Sequence, residues 1–174
     1  MNVGEAIRTK RAIRRFAATP LPEAVLERIL RAGRRAQSSK NTQPWQFILV
    51  RDAERLRALA RLGPYADHLA GAPAAIILIT PDPKQRWSIL FDAGQAAAYM
   101  QLAAWEEGVG SCLATIYALD EARDLLGFPP DWVAHVGLSL GYPAESAELS
   151  RAPRSGGRKA TEDLFHNEQW GQKA

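Results

Sequence analysis

The stretch Asp92–Trp105, DAGQAAAYMQLAAW, constrains the fold of this chain more than any other. Alanine, leucine, methionine and aromatic residues fall on most sides of a 3.6-residue helix there. A helix apolar nearly all round must be buried nearly all round, and its small side chains let another helix come close. The pattern predicts one long helix from about residue 84 to residue 107. A sheet can cover one side of it. A second copy of the chain, meeting it through a self-complementary two-fold contact, would cover the other.

The rest of the chain supplies the sheet. Ala74–Thr80 (AAIILIT) is a continuous apolar run after Pro73, the pattern of a strand covered on both faces. Gln46–Val50, Ser111–Ile116 and Val133–Leu140 are further strand candidates. Val3 to about Arg11 can form a short helix capped by Asn2. Val25, Leu26, Ile29 and Leu30 form a helical stripe that starts at Pro22 and ends near Gly33. Asp52 can cap a helix carrying Leu56, Leu59 and Leu62, and Asp120–Leu126 suits a short helix stopped by Gly127. The expectation is one α+β domain over residues 1–174, about four strands with helices on both sides. Residues 146–174 look like an extended arm: Ser146–Lys159 is polar and interrupted by Pro153, Gly156 and Gly157. Leu164, Phe165 and Trp170 follow, and a partner subunit would bury them.

Composition narrows the function classes. At 47% hydrophobic and 24% charged, the chain is of ordinary globular type. No run approaches the roughly 18 apolar residues of a membrane helix. The opening MNVGEAIRTKR mixes acid and base, so no secretory leader is expected, and the single cysteine, Cys112, leaves no internal disulfide; both point to the cytoplasm. His68, His135 and His166 share no metal-ligand spacing, so no metal is expected. The net charge of +3 is concentrated in Arg8, Lys10, Arg11, Arg14 and Arg15, without which the chain would be slightly acidic. Such a cluster fits a phosphate pocket better than a broad nucleic-acid face. A solvated basic helix end fits it equally well.

Two motifs are set aside. Gly137–Gly141 (GLSLG) matches G-x-S-x-G, and Asp163 and His166 follow in serine-hydrolase order. That elbow needs a strand-to-helix turn, whereas Gly141 leads into Tyr142-Pro143, which cannot open a helix. Ser139 is better taken as a small residue in a packed strand. Gly108-Val109-Gly110 is not a dinucleotide loop, because helix precedes it and strand follows. These glycines end the long helix and begin a strand.

Three separated stretches share one chemical preference. Lys10-Arg11-Ala12-Ile13-Arg14-Arg15-Phe16 and Gly157-Arg158-Lys159 supply cations, and Ser38–Trp45 (SSKNTQPW) supplies hydroxyls and amides. Together they suit a phosphate, a polyol and a flat ring with a polar edge, as in FMN, though other phosphorylated ligands would fit. In this order the stretches resemble the nitroreductase family, FMN-dependent NAD(P)H oxidoreductases. The resemblance covers nearly the whole chain. It takes in the loop Ser-Ser-x-Asn-x-Gln-Pro-Trp-x-Phe, the alanine-rich helix, Gly108–Cys112, the turn Leu140-Gly141-Tyr142-Pro143-Ala144-Glu145, and a basic pair before an aromatic-containing tail.

The resemblance implies a central, mostly antiparallel sheet of four to five strands in a homodimer with shared active sites and exchanged C-terminal arms. By it, Lys10, Arg11 and Ala12 meet the phosphate and ribityl end of FMN, and Arg14 the N1/O2 edge of its ring. Ser38, Ser39, Asn41 and Gln43 reach the FMN held mainly by the other subunit. Leu113, Ala114 and Thr115 pass the flavin with their backbone, and Arg158 and Lys159 clamp the phosphate. Lys10 and Ala12 stand where the family usually has arginine and serine, so backbone N–H or Arg11 must replace a serine contact. NAD(P)H and an electron-poor acceptor such as a nitroaromatic or quinone would use one pocket in turn, a ping-pong cycle. Hydride transfer belongs to the flavin, so no catalytic acid or base is assigned. Trp45 is expected in the core. Dehalogenation, flavin fragmentation and flavin binding without turnover remain alternatives on the same fold.

Overall fold

Strand β2 (Ala74–Pro81) lies at the centre of the molecule, with every residue from Ala74 to Thr80 buried. Its alternate side chains feed two cores. Ala74, Ile76 and Leu78 pack beneath helices α2 (Glu23–Arg34) and α4 (Ser88–Glu106). Ala75, Ile77 and Ile79 pack beneath α3 (Ala53–Ala60) and α5 (Leu119–Leu126). Coverage on both faces explains why the run is continuously apolar rather than alternating. The computed structural model describes residues 1–150 and 157–172.

The other strands are β1 (Gln46–Val50), β3 (Gly110–Thr115) and β4 (Trp132–Gly141). They form a four-stranded sheet in the order β1-β2-β4-β3, antiparallel throughout. Helix α1 (Val3–Thr9) starts where Asn2 Oδ1 accepts the Glu5 N–H at 2.9 Å, and Asp52 Oδ1 accepts the Arg55 N–H at 2.8 Å to start α3. Trp45 is buried against Ala36 and Ala96, as expected.

Helix α4 is shorter than its sequence pattern. Asp82-Pro83 opens a separate 3-10 turn, with Asp82 accepting the Lys84 N–H, and Arg86 is extended at φ −162°, so the helix begins at Ser88. Ile89, Ala93, Ala96, Ala97 and Met100 face the core. The opposite stripe, with Leu90, Phe91 and Tyr99, is 48%, 67% and 41% exposed. The tail also differs from a simple apolar anchor. Leu164 at the end of the short helix α6 (Thr161–Leu164), and Phe165 and Trp170 after it, stay exposed on their own chain. Pro153 and Gly156 of the arm lie outside the described residues.

Candidate cofactor site

Past α1 the chain runs extended along the free edge of β3. Ala12 forms an isolated parallel bridge to Ser111, and the Ile13 N–H donates to the Ser111 carbonyl at 3.1 Å. Gly110 permits this: a Cβ there would lie 2.6 Å from Ile13 Cβ. At the other end of the strand, a Cβ on Gly63 would come within 2.0 Å of the Thr115 carbonyl oxygen. Leu113 lies between these two close approaches and is 46% exposed, unusual for a leucine on a sheet edge. With Ala93, Ala97 and Gln101 of α4 it lines a cavity of about 290 Å³. Thr115 is exposed, whereas the Ala114 side chain is buried in the opposite core and leaves only its backbone to the edge.

The cations gather beside this edge. Burial holds the Lys10 ammonium below its usual pKa; Cys112 opposes the shift and Arg158 adds to it. Burial likewise pushes the Cys112 thiol up, against the pull of Arg14 and Lys10. Lys10, Arg14 and Arg158 therefore share one neighbourhood, and none of them forms a salt bridge among the described residues. Arg15, one residue on, is satisfied by Glu145 and Glu148 at 3.2 and 3.0 Å. Asp67 acts on the same Cys112 and His68 as Arg14 does, so the neighbourhood sets one carboxylate against three cations and stays net positive, which favours an anion. Arg11 is turned away from it: Nη1 donates to the carbonyls of Arg8 and Lys10 at 2.9 and 3.0 Å, over the end of α1, and its buried Nε has no partner. Lys159 is exposed next to Arg158.

Behind Leu113 lies a polar group that sequence reasoning missed. His68 Nδ1 is 2.8 Å from Ser139 Oγ, and that hydroxyl donates to the Cys112 carbonyl at 3.2 Å. With the hydroxyl proton committed, the hydrogen-bond network assigns the ring proton to Nδ1. Burial, reinforced by Arg14, keeps the imidazole pKa below its ordinary value. Ser139 is fully buried, as strand packing requires and an exposed nucleophile forbids. Its histidine is His68, which the G-x-S-x-G motif does not contain; a lone histidine in a loop gives no periodic signal.

The amide-rich loop is built on α4. Ser39–Asn41 is a 3-10 turn, Ser38 Oγ accepts the Gln43 N–H at 2.9 Å, and Asp92 Oδ1 accepts the Ser39 N–H at 3.1 Å. The side chains of Ser39, Asn41 and Gln43 are exposed. This loop enters β1 at Gln46, in the row of Ile79 and near the Thr115 end of β3, whereas the cationic segment joins β3 at Ser111, in the row of Leu140 and Ala74. The two groups occupy diagonal corners of the sheet. Three strand spacings across and about five residues along put Gln46 roughly 20 Å from Ser111. Within one chain Lys10, Arg14 and Arg158 gather by the strand β3, while Ser38, Ser39, Asn41 and Gln43 lie in the loop that leads into β1 at the opposite edge of the sheet.

A family model described as the nitroreductase family matches residues 7–66 and 61–142. The chain belongs to the nitroreductase family. A protein of Archaeoglobus fulgidus with a provisional NADH dehydrogenase/NAD(P)H nitroreductase name is 33% identical, covering 94% of this chain and 96% of its own. An NADH dehydrogenase of Thermus thermophilus is 30% identical over 78% of this chain and 84% of its own. Among solved structures, an FMN-dependent nitroreductase of Clostridium difficile superposes with a TM-score of 0.84 at 27% identity, covering 97% of this chain and all of that one. The antiparallel sheet flanked by helices is thus the nitroreductase fold. Among the described residues no helix is long and apolar enough to cross a membrane, and no group of three or more His, Cys, Asp or Glu could hold a metal.

Proposed function

We propose that the chain is an FMN-dependent oxidoreductase that works as a cytoplasmic homodimer, taking hydride from NAD(P)H and passing it to an electron-poor acceptor such as a nitroaromatic or quinone in a ping-pong cycle. The observation that carries the reading is the net-positive group Lys10, Arg14 and Arg158, none in a salt bridge among the described residues, beside the exposed apolar edge at Leu113. The donor set fits FMN: cations for a phosphate, an apolar strip for a ring, and outward backbone groups for the ring's polar edge.

In this reading Lys10 and Arg158 hold the phosphate and Arg14 lies at the N1/O2 edge of the ring, where a cation favours the reduced, anionic flavin. Ala12 has no hydroxyl and Arg11 is spent on α1, so backbone N–H groups of the segment take the serine's place. Leu113 and Thr115 present the outward edge of β3, while Ala114 anchors that strand in the core. Lys159 adds charge to the clamp. Ser38, Ser39, Asn41 and Gln43 contribute from the second chain, a reading supported by the entry of their loop into β1 at the corner of the sheet diagonal to Ser111. The second chain would also cover the Leu90, Phe91 and Tyr99 stripe and receive the Leu164, Phe165 and Trp170 arm. The chemistry supplied by bound FMN is hydride transfer, from nicotinamide in one half-reaction and to the acceptor in the next.

Denaturing the purified protein and chromatographing the released flavin, followed by anaerobic mixing of the reconstituted protein with NADH or NADPH, tests the reading. FMN that bleaches at about one equivalent of nicotinamide supports it. FAD, no retained flavin, or flavin that neither nucleotide reduces contradicts it.

A further inference from the structure

The loop over residues 38–43 is held in a conformation it would not choose. Lys40, Asn41 and Gln43 have φ of 53°, 54° and 46°, left-handed backbone without a glycine among them. Such residues persist only where their surroundings determine them. Here the surroundings are two charged groups. Asp92 on α4 is 2% exposed, and its Oδ1 accepts the Ser39 N–H. Its Oδ2 has no hydrogen-bond partner and lies 3.9 Å from Arg86 Nη2. That same nitrogen donates to Thr42 Oγ1 at 2.7 Å, and Thr42 Oγ1 donates to the Ser39 carbonyl at 3.0 Å. The carboxylate and the guanidinium thus grip the loop on either side of Asn41.

A buried carboxylate with one bare oxygen is a costly way to seat a surface loop. The side chains it displays, Ser39, Lys40, Asn41 and Gln43, do almost nothing for their own chain: beyond a 3.5 Å contact from Gln43 Nε2 to the Asn41 carbonyl, none reaches out of the loop among the described residues. We propose that Asp92 and Arg86 are positioning residues that hold this strained loop ready to complete the cofactor site of a second chain. The proposal rests on the FMN reading above. It also places the support of one site on α4, the helix whose outer stripe awaits the partner.

The test is FMN titration of apoprotein, followed by flavin fluorescence, with light scattering and far-ultraviolet circular dichroism on the same samples. Asp92→Ala should weaken FMN binding about 10- to 100-fold, the range of a lost hydrogen bond to a charged group, with size and helicity unchanged. Asp92→Asn keeps an oxygen for the Ser39 N–H and should recover most of that loss. Arg86→Gln, at a side chain one-third exposed, should fall between the two, and it carries the test alone if Asp92→Ala does not fold. Wild-type affinity in Asp92→Ala or Arg86→Gln, or an Asp92→Asn no better than the alanine, overturns the proposal. Failure of the wild-type protein to bind FMN overturns the cofactor reading instead, so the two failures are distinct.

Discussion

Gly110→Ala tests the contact on which the cationic segment depends. The added methyl carbon would lie 2.6 Å from Ile13 Cβ and 2.8 Å from both its γ carbons. Carbon contacts are optimal at about 3.5–4.0 Å, so the segment must retreat by about 1 Å. Ile13 is 1% exposed and its N–H is bonded to Ser111, so retreat strains a buried side chain and a hydrogen bond together. Overpacking of this kind costs about 1–3 kcal/mol, and each kcal/mol lowers Tm by about 2–4 °C in a chain of this size. Because Lys10 and Arg14 flank Ile13, FMN affinity should fall with stability. Ile13→Gly removes the Cβ as well as both γ carbons, so it makes room for the methyl, at a cost alone of at least the about 2–5 kcal/mol of truncating a buried isoleucine. Thermal denaturation of the single and double variants should therefore show a coupling of about 0.5–3 kcal/mol in favour of the pair. Strict additivity would refute the steric account.

Other perturbations separate the roles of the charged groups. Arg158→Gln should leave apoprotein stability unchanged or raised by less than about 1 kcal/mol, because the charge is exposed, while weakening FMN binding; calorimetry and flavin titration read the two signs. Arg14→Ala should instead lower the bound flavin's reduction potential, by on the order of 30 mV if about 1.4 kcal/mol of two-electron stabilisation is lost; identical phenotypes for Arg14→Ala and Arg158→Ala would contradict their placement. The His68 pKa is depressed in the folded chain, so the unfolded chain binds its proton more readily. Its contribution to stability is thus complete above the unfolded value of about 6.5 and falls as pH drops below it. Denaturant midpoints across that range should fall less steeply in His68→Gln than in wild type.

Much of the fold was legible because periodicity and punctuation agreed. The apolar run of β2, the caps at Asn2 and Asp52 and the stop at Gly127 are local signals that tertiary contacts did not override. The expected start of α4 near residue 84 differs from Ser88 because 84–87 has helical composition, yet Asp82-Pro83 closes its own turn. The site was legible as two chemical groups but not as an arrangement. Sequence spacing does not show that Ser111 and Gln46 stand at opposite corners; strand order and register do. Nor does it show that Arg11 folds back on α1, or that His68, a solitary loop histidine, reaches Ser139 71 positions away.

The central claim is that one FMN site is built from two chains, and subunit complementation tests it most directly. Lys10→Ala/Arg14→Ala removes cations and keeps the loop; Asn41→Ala/Gln43→Ala does the reverse. Alone, each should bind FMN weakly. Co-expressed in equal amounts, about half the dimers are mixed, and each mixed dimer carries one intact site, so about a quarter of all sites should regain wild-type affinity. Flavin titration of the co-expressed mixture should then resolve a tight class near that fraction. A mixture that binds no better than the average of its parents would contradict the shared site.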